Sequence, residues 1–358
     1  MKTIVTVTGI RPDFIRMSEI FKKLDANFNH ILIHTGQHFD KLLSEVFFQQ
    51  LNIREPNYNL AIGGYGKEHF HQSADLSVRL IELFRKENIK PDIILFLGDS
   101  NSVCVAVQLK KEGYCIGHIE AGMRSYDKRM LEEINRIVCD HCSDYLFVYH
   151  ENYKQKLIKE GISEDKIFVV GNTIVEVANK FIPNIPKRDE AILLDIHRPE
   201  NFRYNNRLKN ILEYSQWCAE KYSLPIRFLN FARTMQCINN YEIDLANFPN
   251  ITLSPLLSFT QYLDTIYHCK FIISDSGTAQ EEPCLLNTPV IVPRDFTERP
   301  ESVINNCSFM LNVNNAKDET WQQSYDWLQY KYANKDISWL GIGNTSQLII
   351  DKLKSVLC

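Results

Sequence analysis

Three carboxylates in the first half of the sequence have the residue types and positions expected for proton transfer. Asp99, Glu120 and Glu132 follow successive apolar runs that have the composition of buried strands. Carboxylates brought close together raise one another's pKa, which suits acid–base chemistry. The structural alternative for each acid, taken alone, is a helix cap or a solvated charge. We expect the set to transfer protons at one site.

A short turn in the second half suits the binding of a phosphate. Ser276-Gly277-Thr278 lies between an apolar strand and a predicted helix whose first turn contains Glu281 and Glu282. Small residues allow backbone N–H groups to approach a phosphate, and the helix dipole favours the anion. The alternative is an ordinary helix cap, because serine and threonine also cap helices.

Two arginines and one histidine add to these candidate phosphate-binding and proton-transfer residues. Arg11 follows a strand in a Gly-x-Arg-Pro turn, where a guanidinium fork suits a diphosphate, and Arg299 lies in Glu-Arg-Pro-Glu. A surface ion pair is the alternative for Arg11, and a salt-bridged surface turn is the alternative for Arg299. His197 ends the first strand of the second half and is expected to reach the same cleft as the carboxylates. Carboxylates in one half and phosphate binders in the other predict proton chemistry on a phosphorylated ligand.

The elements that must position these residues alternate between short apolar runs and amphipathic helices. This alternation predicts an α/β fold with two doubly wound, parallel-sheet domains, and Phe181–Lys187, with its two prolines, is the predicted linker. Ligands of such sheets bind beyond the carboxyl ends of the strands. The predicted strands are Thr3–Val7, Asn29–Ile33, Asp92–Leu97, Cys115–Ile119, Tyr145–Tyr149, Lys166–Val170, Ala191–Ile196, Pro225–Phe231, Ile251–Leu253, Phe271–Ser274 and Pro289–Val292, and the predicted helices include Asp13–Leu24, Ser73–Glu87 and Ser346–Val356.

The composition limits the class of protein. The 358 residues are 44% hydrophobic and 23% charged, which excludes a disordered or collagen-like chain. With 40 Lys and Arg against 44 Asp and Glu, the net charge of -4 provides no global attraction for nucleic acid or an anionic membrane. No apolar run approaches the ~18 residues of a membrane span. We therefore expect neither nucleic acid nor membrane as a partner.

The ten cysteines are scattered, and they predict reduced core residues of a cytoplasmic protein rather than a disulfide framework. Cys139 and Cys142 are close in sequence, but no second pair completes a metal site. We expect no metal and no cofactor. The chain has no Gly-x-Gly-x-x-Gly after a strand, no Walker phosphate loop and no Gly-x-Ser-x-Gly elbow, so dinucleotide and serine hydrolase chemistry are poorly supported.

The strand-end motifs, taken in order, resemble those of the non-hydrolysing UDP-N-acetylglucosamine 2-epimerase family over nearly the whole chain. Eight motifs in the order of the family are more specific for that family than any single motif is. They are Gly-Ile-Arg-Pro-Asp from Gly9, His-Thr-Gly-Gln-His from His34, Gly-Asp-Ser-Asn-Ser from Gly98, His-Ile-Glu-Ala-Gly from His118, Glu-Glu-Ile-Asn-Arg from Glu132, Gly-Asn-Thr from Gly171, His-Arg-Pro-Glu-Asn from His197, and Asp-Ser-Gly-Thr-Ala-Gln-Glu-Glu-Pro from Asp275 with Arg-Asp-Phe-Thr-Glu-Arg-Pro-Glu from Arg294.

The resemblance implies two Rossmann-like domains in a glycosyltransferase-B-like arrangement, and a homodimer. It implies an N-terminal domain at 1–174, a UDP-binding domain at 175–340 and a helix at 341–358 packing back on the first domain. By position, the implied catalytic residues are Asp99, Glu120, Glu132 and His197. The implied substrate-binding residues are Arg11, Arg16, Tyr262, Ser276, Gly277, Thr278, Glu282 and Arg299.

Several positions depart from the family pattern. Arg16 stands where lysine is usual, Thr278 where a second glycine is frequent, and Leu131 where proline is usual. The short loop Arg124 to Glu132 is more similar to branches that act on modified UDP-sugars, including 6-deoxy-L and diacetamido uronic acid sugars.

The activity implied is inversion of carbon 2 of a UDP-N-acetylhexosamine by elimination and re-addition of UDP, supplying sugars for surface glycans or polysaccharides. A UDP-sugar-dependent glycosyltransferase, a hydrolysing epimerase and a non-catalytic UDP-sugar-binding module are the alternatives. A transferase needs an acceptor groove but no carboxylate trio around carbon 2.

Overall fold

The computed structural model describes residues 1–36, 45–63, 68–314 and 317–357. The chain forms two units, one of Met1–Val177 with Leu340–Cys358 and the other of Ala178–Trp339. The motif residues Gln37 and His38 lie outside the described residues. No helix in the described ranges has the length and apolar character needed to cross a membrane.

Unit 1 is built on a parallel sheet, with seven strands among the described residues. The strand order is β3-β2-β1-β4-β5-β6-β7. Its neighbours pair in parallel, as between Val5 of β1 and Ile94 of β4. The strands are β1 Thr3–Thr8, β2 Asn29–His34, β3 Tyr58–Asn59, β4 Ile93–Leu97, β5 Ile116–Ala121, β6 Tyr145–Val148 and β7 Ile167–Val169.

Unit 2 repeats this design with six parallel strands within its described part, in the order β10-β9-β8-β11-β12-β13. In both units the central strands are buried along their whole length, because helices cover both faces of a doubly wound sheet. The strands are β8 Ala191–Asp195, β9 Ile226–Leu229, β10 Ile251–Ser254, β11 Cys269–Ser274, β12 Val290–Val292 and β13 Ser308–Met310.

The helices connect the strands in the manner of successive crossover units. The last helix, α15, packs against the first, α1, within unit 1 and buries Ile349, Ile350 and Leu353. The helices are α1 Arg11–Asn27, α2 Glu45–Leu51, α3 His69–Lys86, α4 Ala106–Lys111, α5 Leu131–Cys142, α6 Glu151–Lys159, α7 Thr173–Ala178, α8 Pro199–Phe202, α9 Asn205–Tyr222, α10 Ala232–Asn240, α11 Phe259–His268, α12 Glu282–Leu285, α13 Pro300–Ile304, α14 Lys317–Asp326 and α15 Thr345–Leu357.

The predicted fold class, two Rossmann-like parallel α/β units, is confirmed. The predicted strands are all present, but β3 and β13 were not predicted. β3 has two residues and β13 has three, so neither is long enough to produce a recognisable apolar pattern.

One predicted helix is wrong in its start. The sequence predicts that Glu281 and Glu282 share the first turn of a helix after Thr278. Instead, a 3-10 turn spans Thr278–Gln280, and α12 begins at Glu282. The backbone of Glu281 is not helical, with φ -121° and ψ -60°, and Pro283 in the first turn favours a new start there.

Candidate active site

Asp99 lies in the turn that follows β4. Gly98, just before it, has φ +70°, a left-handed conformation that glycine adopts without strain. The side-chain amide of Asn135 donates to the backbone carbonyl of Asp99 at 2.9 Å, and the Arg136 guanidinium donates to its carboxylate. Helix α5 therefore fixes the position of Asp99 from both its backbone and its side chain.

Glu120 lies near the end of β5, the strand next to β4. It is buried, and its backbone has φ +70°, an uncommon and costly conformation for a residue with a side chain. Its Oε2 accepts hydrogen bonds from Arg16 at 3.0 Å and from the Tyr149 hydroxyl at 3.0 Å. Arg16, predicted to bind substrate, is itself buried, and in this structure it pairs with Glu120.

Glu132 and Glu133 are neighbours in the first turn of α5 but differ in environment. Glu133 is buried and accepts from the backbone N–H groups of Ser125 and Tyr126, each at 2.9 Å, and from Arg136 at 3.0 Å. Glu132 is half-buried. It lies three and four residues before Asn135 and Arg136, and therefore on the face of α5 that contacts Asp99. This placement fits a chemical role for Glu132 and a structural role for Glu133.

Asp13 is a fourth acid that the sequence reasoning did not select. It is buried in the first turn of α1, and its Oδ2 accepts from the N–H groups of Gly9 and Ile10 at 2.9 and 3.2 Å. Burial raises its pKa to about 7, and repulsion from Asp99 and Glu120 adds to that rise. The structure thus places Asp13, Asp99 and Glu120 near one another. The capping position of Asp13 in its motif gave no sign of this.

The raised pKa of Asp13 predicts a pH-dependent stability. Because the folded-state pKa of about 7 exceeds the ordinary value of 3.8, the folded protein binds more protons than the unfolded chain between these values. The free energy of unfolding therefore contains an Asp13 contribution that falls as pH rises from about 4 to 7. Asp13→Asn removes this contribution while retaining an acceptor oxygen. We expect the variant to gain stability relative to the wild type between pH 5 and pH 8 in urea unfolding. A constant difference across this range would contradict the assignment.

His118, the first residue of its motif, lies within β5. It is fully buried inside β5, with Nδ1 2.6 Å from Asp140 and Nε2 2.7 Å from the carbonyl of Gly98. Burial lowers its pKa, but Asp140 and Cys139 raise it more, and the net pKa is well above the ordinary value. An imidazolium donating to both partners fixes the Gly98 turn next to Asp99.

Arg11 is the first residue of α1, and its guanidinium lies 5.4 Å from the centre of the Phe47 ring. The cation–π contact orients a half-buried positive charge at the carboxyl edge of the unit 1 sheet. This placement suits an anionic ligand.

In unit 2, His197 follows β8 and is held by two buried acids. Its Nδ1 lies 2.8 Å from Asp195, and its backbone N–H donates to Asp275 at 3.0 Å. Burial lowers the pKa of His197, but Asp195 and Asp275 raise it more, so the net shift is upward. Asp195 lies inside the predicted apolar strand Ala191–Ile196, where a charge is a signal of function that the prediction did not use.

The side chains of Asp195, His197 and Asp275 are close enough together to be considered as metal ligands. The oxygens of Asp275, however, accept from the backbone N–H groups of His197 and Arg198 and from the amide of Asn201. Oδ2 of Asp195 accepts from the Ser274 hydroxyl. Donors already surround these oxygens, so the geometry fits a hydrogen-bonded network better than a cation site.

The Ser276-Gly277-Thr278 turn follows β11. The hydroxyls of Ser276 and Thr278 lie 3.2 Å apart, so both are directed to one side of the turn. A Cβ on Gly277 would lie 2.3 Å from Glu298 and 2.7 Å from Arg299. Any larger residue at this position would require the Glu298 and Arg299 side chains to shift.

Arg299 belongs to a buried ionic network, not to the salt-bridged surface turn considered as its alternative. Its Nε lies 2.9 Å from Glu281 and its Nη1 lies 2.6 Å from Glu298. Arg294 pairs with the other oxygen of Glu298 at 3.2 Å. The network places the Arg299 guanidinium beside the Ser276 turn, because its Nη1 lies close to Gly277.

Tyr262 of α11 and Glu282 of α12 lie near the same edge of the unit 2 sheet. Burial raises the pKa of Tyr262, and the charges of Asp195 and Glu282 raise it further, so both carboxylates lie within electrostatic range of its hydroxyl. Glu282 is buried at the start of α12. Unit 2 thus brings together the predicted residues Tyr262, Glu282 and, through Asp195, His197.

The sequence of this chain matches the model of a known protein family. A family model described as UDP-N-acetylglucosamine 2-epimerase matches residues 22–354. The chain belongs to the UDP-N-acetylglucosamine 2-epimerase family.

Two relatives of this family illustrate its range. The UDP-N-acetylglucosamine 2-epimerase of Methanocaldococcus jannaschii is 36% identical over 331 residues, covering 87% of this chain and 88% of that protein. The UDP-2,3-diacetamido-2,3-dideoxy-D-glucuronate 2-epimerase of Pseudomonas aeruginosa is 32% identical over 326 residues, covering 88% and 89%. Membership of this epimerase family makes the protein an isomerase.

The fold of this chain also matches that of a solved structure. The crystal structure of the M. jannaschii UDP-GlcNAc 2-epimerase in complex with UDP-GlcNAc and UDP superposes with a TM-score of 0.88 at 33% identity, covering 99% of this chain and all of that one. The parallel α/β units are therefore those of this glycosyltransferase-B-like family.

Proposed function

We propose that this protein inverts carbon 2 of a UDP-N-acetylhexosamine and keeps the sugar joined to UDP in its product. The observation that carries the proposal is the group of acids at neighbouring strand ends of unit 1, in a chain of this epimerase family. A buried acid beside other carboxylates can hold or release a proton near neutral pH.

We assign the proton-transfer steps of the reaction to these acids as their proposed roles. A carboxylate among Asp99, Glu120 and Glu132 removes the proton from carbon 2 while the bond between carbon 1 and the UDP oxygen breaks. The electron pair leaves with UDP, and a double bond forms between carbons 1 and 2. A second group returns a proton to the opposite face, and UDP adds back at carbon 1. Each positioned acid or base contributes roughly 10²–10⁴-fold to the rate.

The proposed binding groups stabilise the leaving UDP. Arg11 and Arg299 offer guanidinium forks for phosphate oxygens, and the Ser276 turn offers hydroxyls. Their positive charge and hydrogen bonds count most as negative charge develops on the departing phosphate. His197, with its raised pKa, is a candidate proton donor to that oxygen.

The substrate class is tested directly by a panel of UDP-N-acetylhexosamines followed by proton NMR. The panel contains UDP-GlcNAc, UDP-ManNAc, a 6-deoxy-L form and a diacetamido uronate. We expect at least one member to reach an equilibrium mixture of the two carbon 2 epimers, both still linked to UDP. Release of free sugar and UDP as the only products would refute the proposal and favour a hydrolysing epimerase.

The product retains an activated anomeric phosphate, so we propose that it serves as a donor for glycosyl transfer into a glycan or polysaccharide. We also propose a reducing, cytoplasmic setting. The nine described cysteines are all unpaired thiols, which fits such a compartment.

We further propose a homodimer formed through α5. Leu131, Ile134 and Ile137 recur every third residue on this helix and are 56%, 52% and 37% exposed. Three large apolar side chains on one exposed helix face are typical of an interaction surface.

The dimer is tested by light scattering with size-exclusion chromatography. We expect the wild type to have about twice the chain mass of 41.7 kDa, and Ile134→Asp to shift it towards 41.7 kDa because a buried charge opposes association. Val78→Asp, on the exposed face of α3, is the control and leaves the mass unchanged. A wild-type monomer would contradict the proposal.

A further inference from the structure

His197 and Asp195 are joined by local geometry. β8 ends at Asp195, and His197 comes two residues later, so their side chains lie on the same side of the chain. The distance of 2.8 Å between His197 Nδ1 and Asp195 Oδ1 is that of a charge-assisted hydrogen bond. Since a carboxylate accepts, Nδ1 carries the proton.

Asp195 is itself fixed in place. It is buried at the end of β8, and its second oxygen, Oδ2, accepts from the Ser274 hydroxyl at 3.0 Å. Ser274 is fully buried and pairs with Asp195 in the register of β8 and β11. The carboxylate therefore cannot turn away from His197 without losing a buried hydrogen bond.

Asp275 holds the backbone around His197, whereas Asp195 holds its ring. Its oxygens accept from the backbone N–H groups of His197 and Arg198 and from the Asn201 amide, at 2.9 to 3.1 Å. These bonds fix the backbone that carries the histidine. Its contact with the ring is longer, 3.6 Å from Oδ1 to Nδ1. The ring orientation therefore depends mainly on Asp195.

We propose that Asp195 is a positioning residue that holds His197 as the Nδ1–H tautomer and directs Nε2 away from the protein network. The consequence for turnover rests on the proposed function, because it assumes that Nε2 of His197 faces the reacting sugar nucleotide. The tautomer and the ring pKa do not depend on that assumption.

The charged groups around the ring support this assignment. Asp195 and Asp275 face it from the ends of β8 and β11, and both raise its pKa, whereas burial and the Arg198 guanidinium lower it. The Phe231 ring, whose centre is 4.9 Å from that of His197, carries no charge. The net shift of the His197 pKa is upward, so we expect removal of the Asp195 charge to lower this pKa.

The test uses ¹⁵N-histidine labelling of the full chain, with His197→Gln to assign the ring signals. In the wild type at pH 9 we expect the neutral ring as the Nδ1–H tautomer, whereas free histidine prefers Nε2–H. In Asp195→Asn we expect the ring pKa to fall by at least 1 unit. Asp264→Asn is the control, because it removes an equal charge from a side chain that is 62% exposed on α11, and it leaves the ring pKa unchanged.

The same variants separate positioning from catalysis. If the proposed function holds, the high-pH limb of kcat in Asp195→Asn moves down by the same amount as the ring pKa. An Nε2–H tautomer in the wild type overturns the positioning role without needing any variant to fold, and so does an unchanged ring pKa in Asp195→Asn. The expected tautomer and pKa in a protein without epimerase activity would support the positioning role and refute the proposed function.

Discussion

Glu132→Gln is expected to lower kcat by roughly 10²–10⁴-fold while the free energy of unfolding changes by less than about 1 kcal/mol. The half-buried Glu132 lies on the face of α5 that contacts Asp99, and glutamine has nearly the same shape without the titratable proton. Turnover is measured by NMR of the two epimers, and stability by urea unfolding.

The neighbouring acid provides the matched control for this variant. Glu133→Gln removes the charge that pairs with the buried Arg136 guanidinium and weakens the bonds to Ser125 and Tyr126. We expect it to cost about 1–3 kcal/mol of stability, because buried donors lose a charged acceptor. If Glu132→Gln loses stability as Glu133→Gln does and retains its kcat, the assignment of Glu132 to proton transfer is wrong.

Arg299→Met is expected to lower the free energy of unfolding by about 3–5 kcal/mol, because it removes a buried counter-charge from two buried carboxylates. Glu281 loses its 2.9 Å partner, and Glu298 loses its contact with Nη1 of Arg299 but keeps its pair with Arg294. We also expect weaker binding of UDP by the folded variant, since a guanidinium fork for phosphate is lost. Urea unfolding measures the first effect, and calorimetric titration with UDP measures the second.

A surface pair in the same unit is the control for Arg299. Arg188 lies 3.0 Å from Glu190 with more than half of its side chain exposed, so Arg188→Met is expected to cost less than about 1 kcal/mol and to leave UDP affinity unchanged. Equal stability losses in the two variants would show that the buried network contributes little. Unchanged UDP affinity in Arg299→Met would remove Arg299 from the binding site.

The sheets could be predicted because the central strands are buried on both faces. Runs such as Ile93–Leu97 and Ala191–Asp195 are nearly continuous apolar segments bounded by polar turns, which is typical of parallel strands. β3 and β13 lie at sheet edges and are two and three residues long, so hydrogen bonding to a neighbouring strand, not local pattern, determines them.

The candidate site was predicted as a set of residue types, but its internal pairings were not. Arg16 is 104 residues from Glu120, and Asp195 is 79 residues from Ser274, so only the strand order brings each pair together. For the same reason Arg16 and Arg299 were predicted as ligand-binding groups, and the sequence did not show that both are buried in ion pairs. Asp13 was missed because a carboxyl at a helix start is usually a simple cap.

Exchange of the carbon 2 hydrogen with solvent is the direct sign of the proposed proton transfer. Purified protein is incubated in heavy water with the member of the UDP-N-acetylhexosamine panel that it converts, and the products are followed by NMR and mass spectrometry. We expect deuterium at carbon 2 of both epimers, with the sugar still joined to UDP and no acceptor added. Interconversion with retention of the original hydrogen, or transfer that occurs only with an added acceptor, would contradict it.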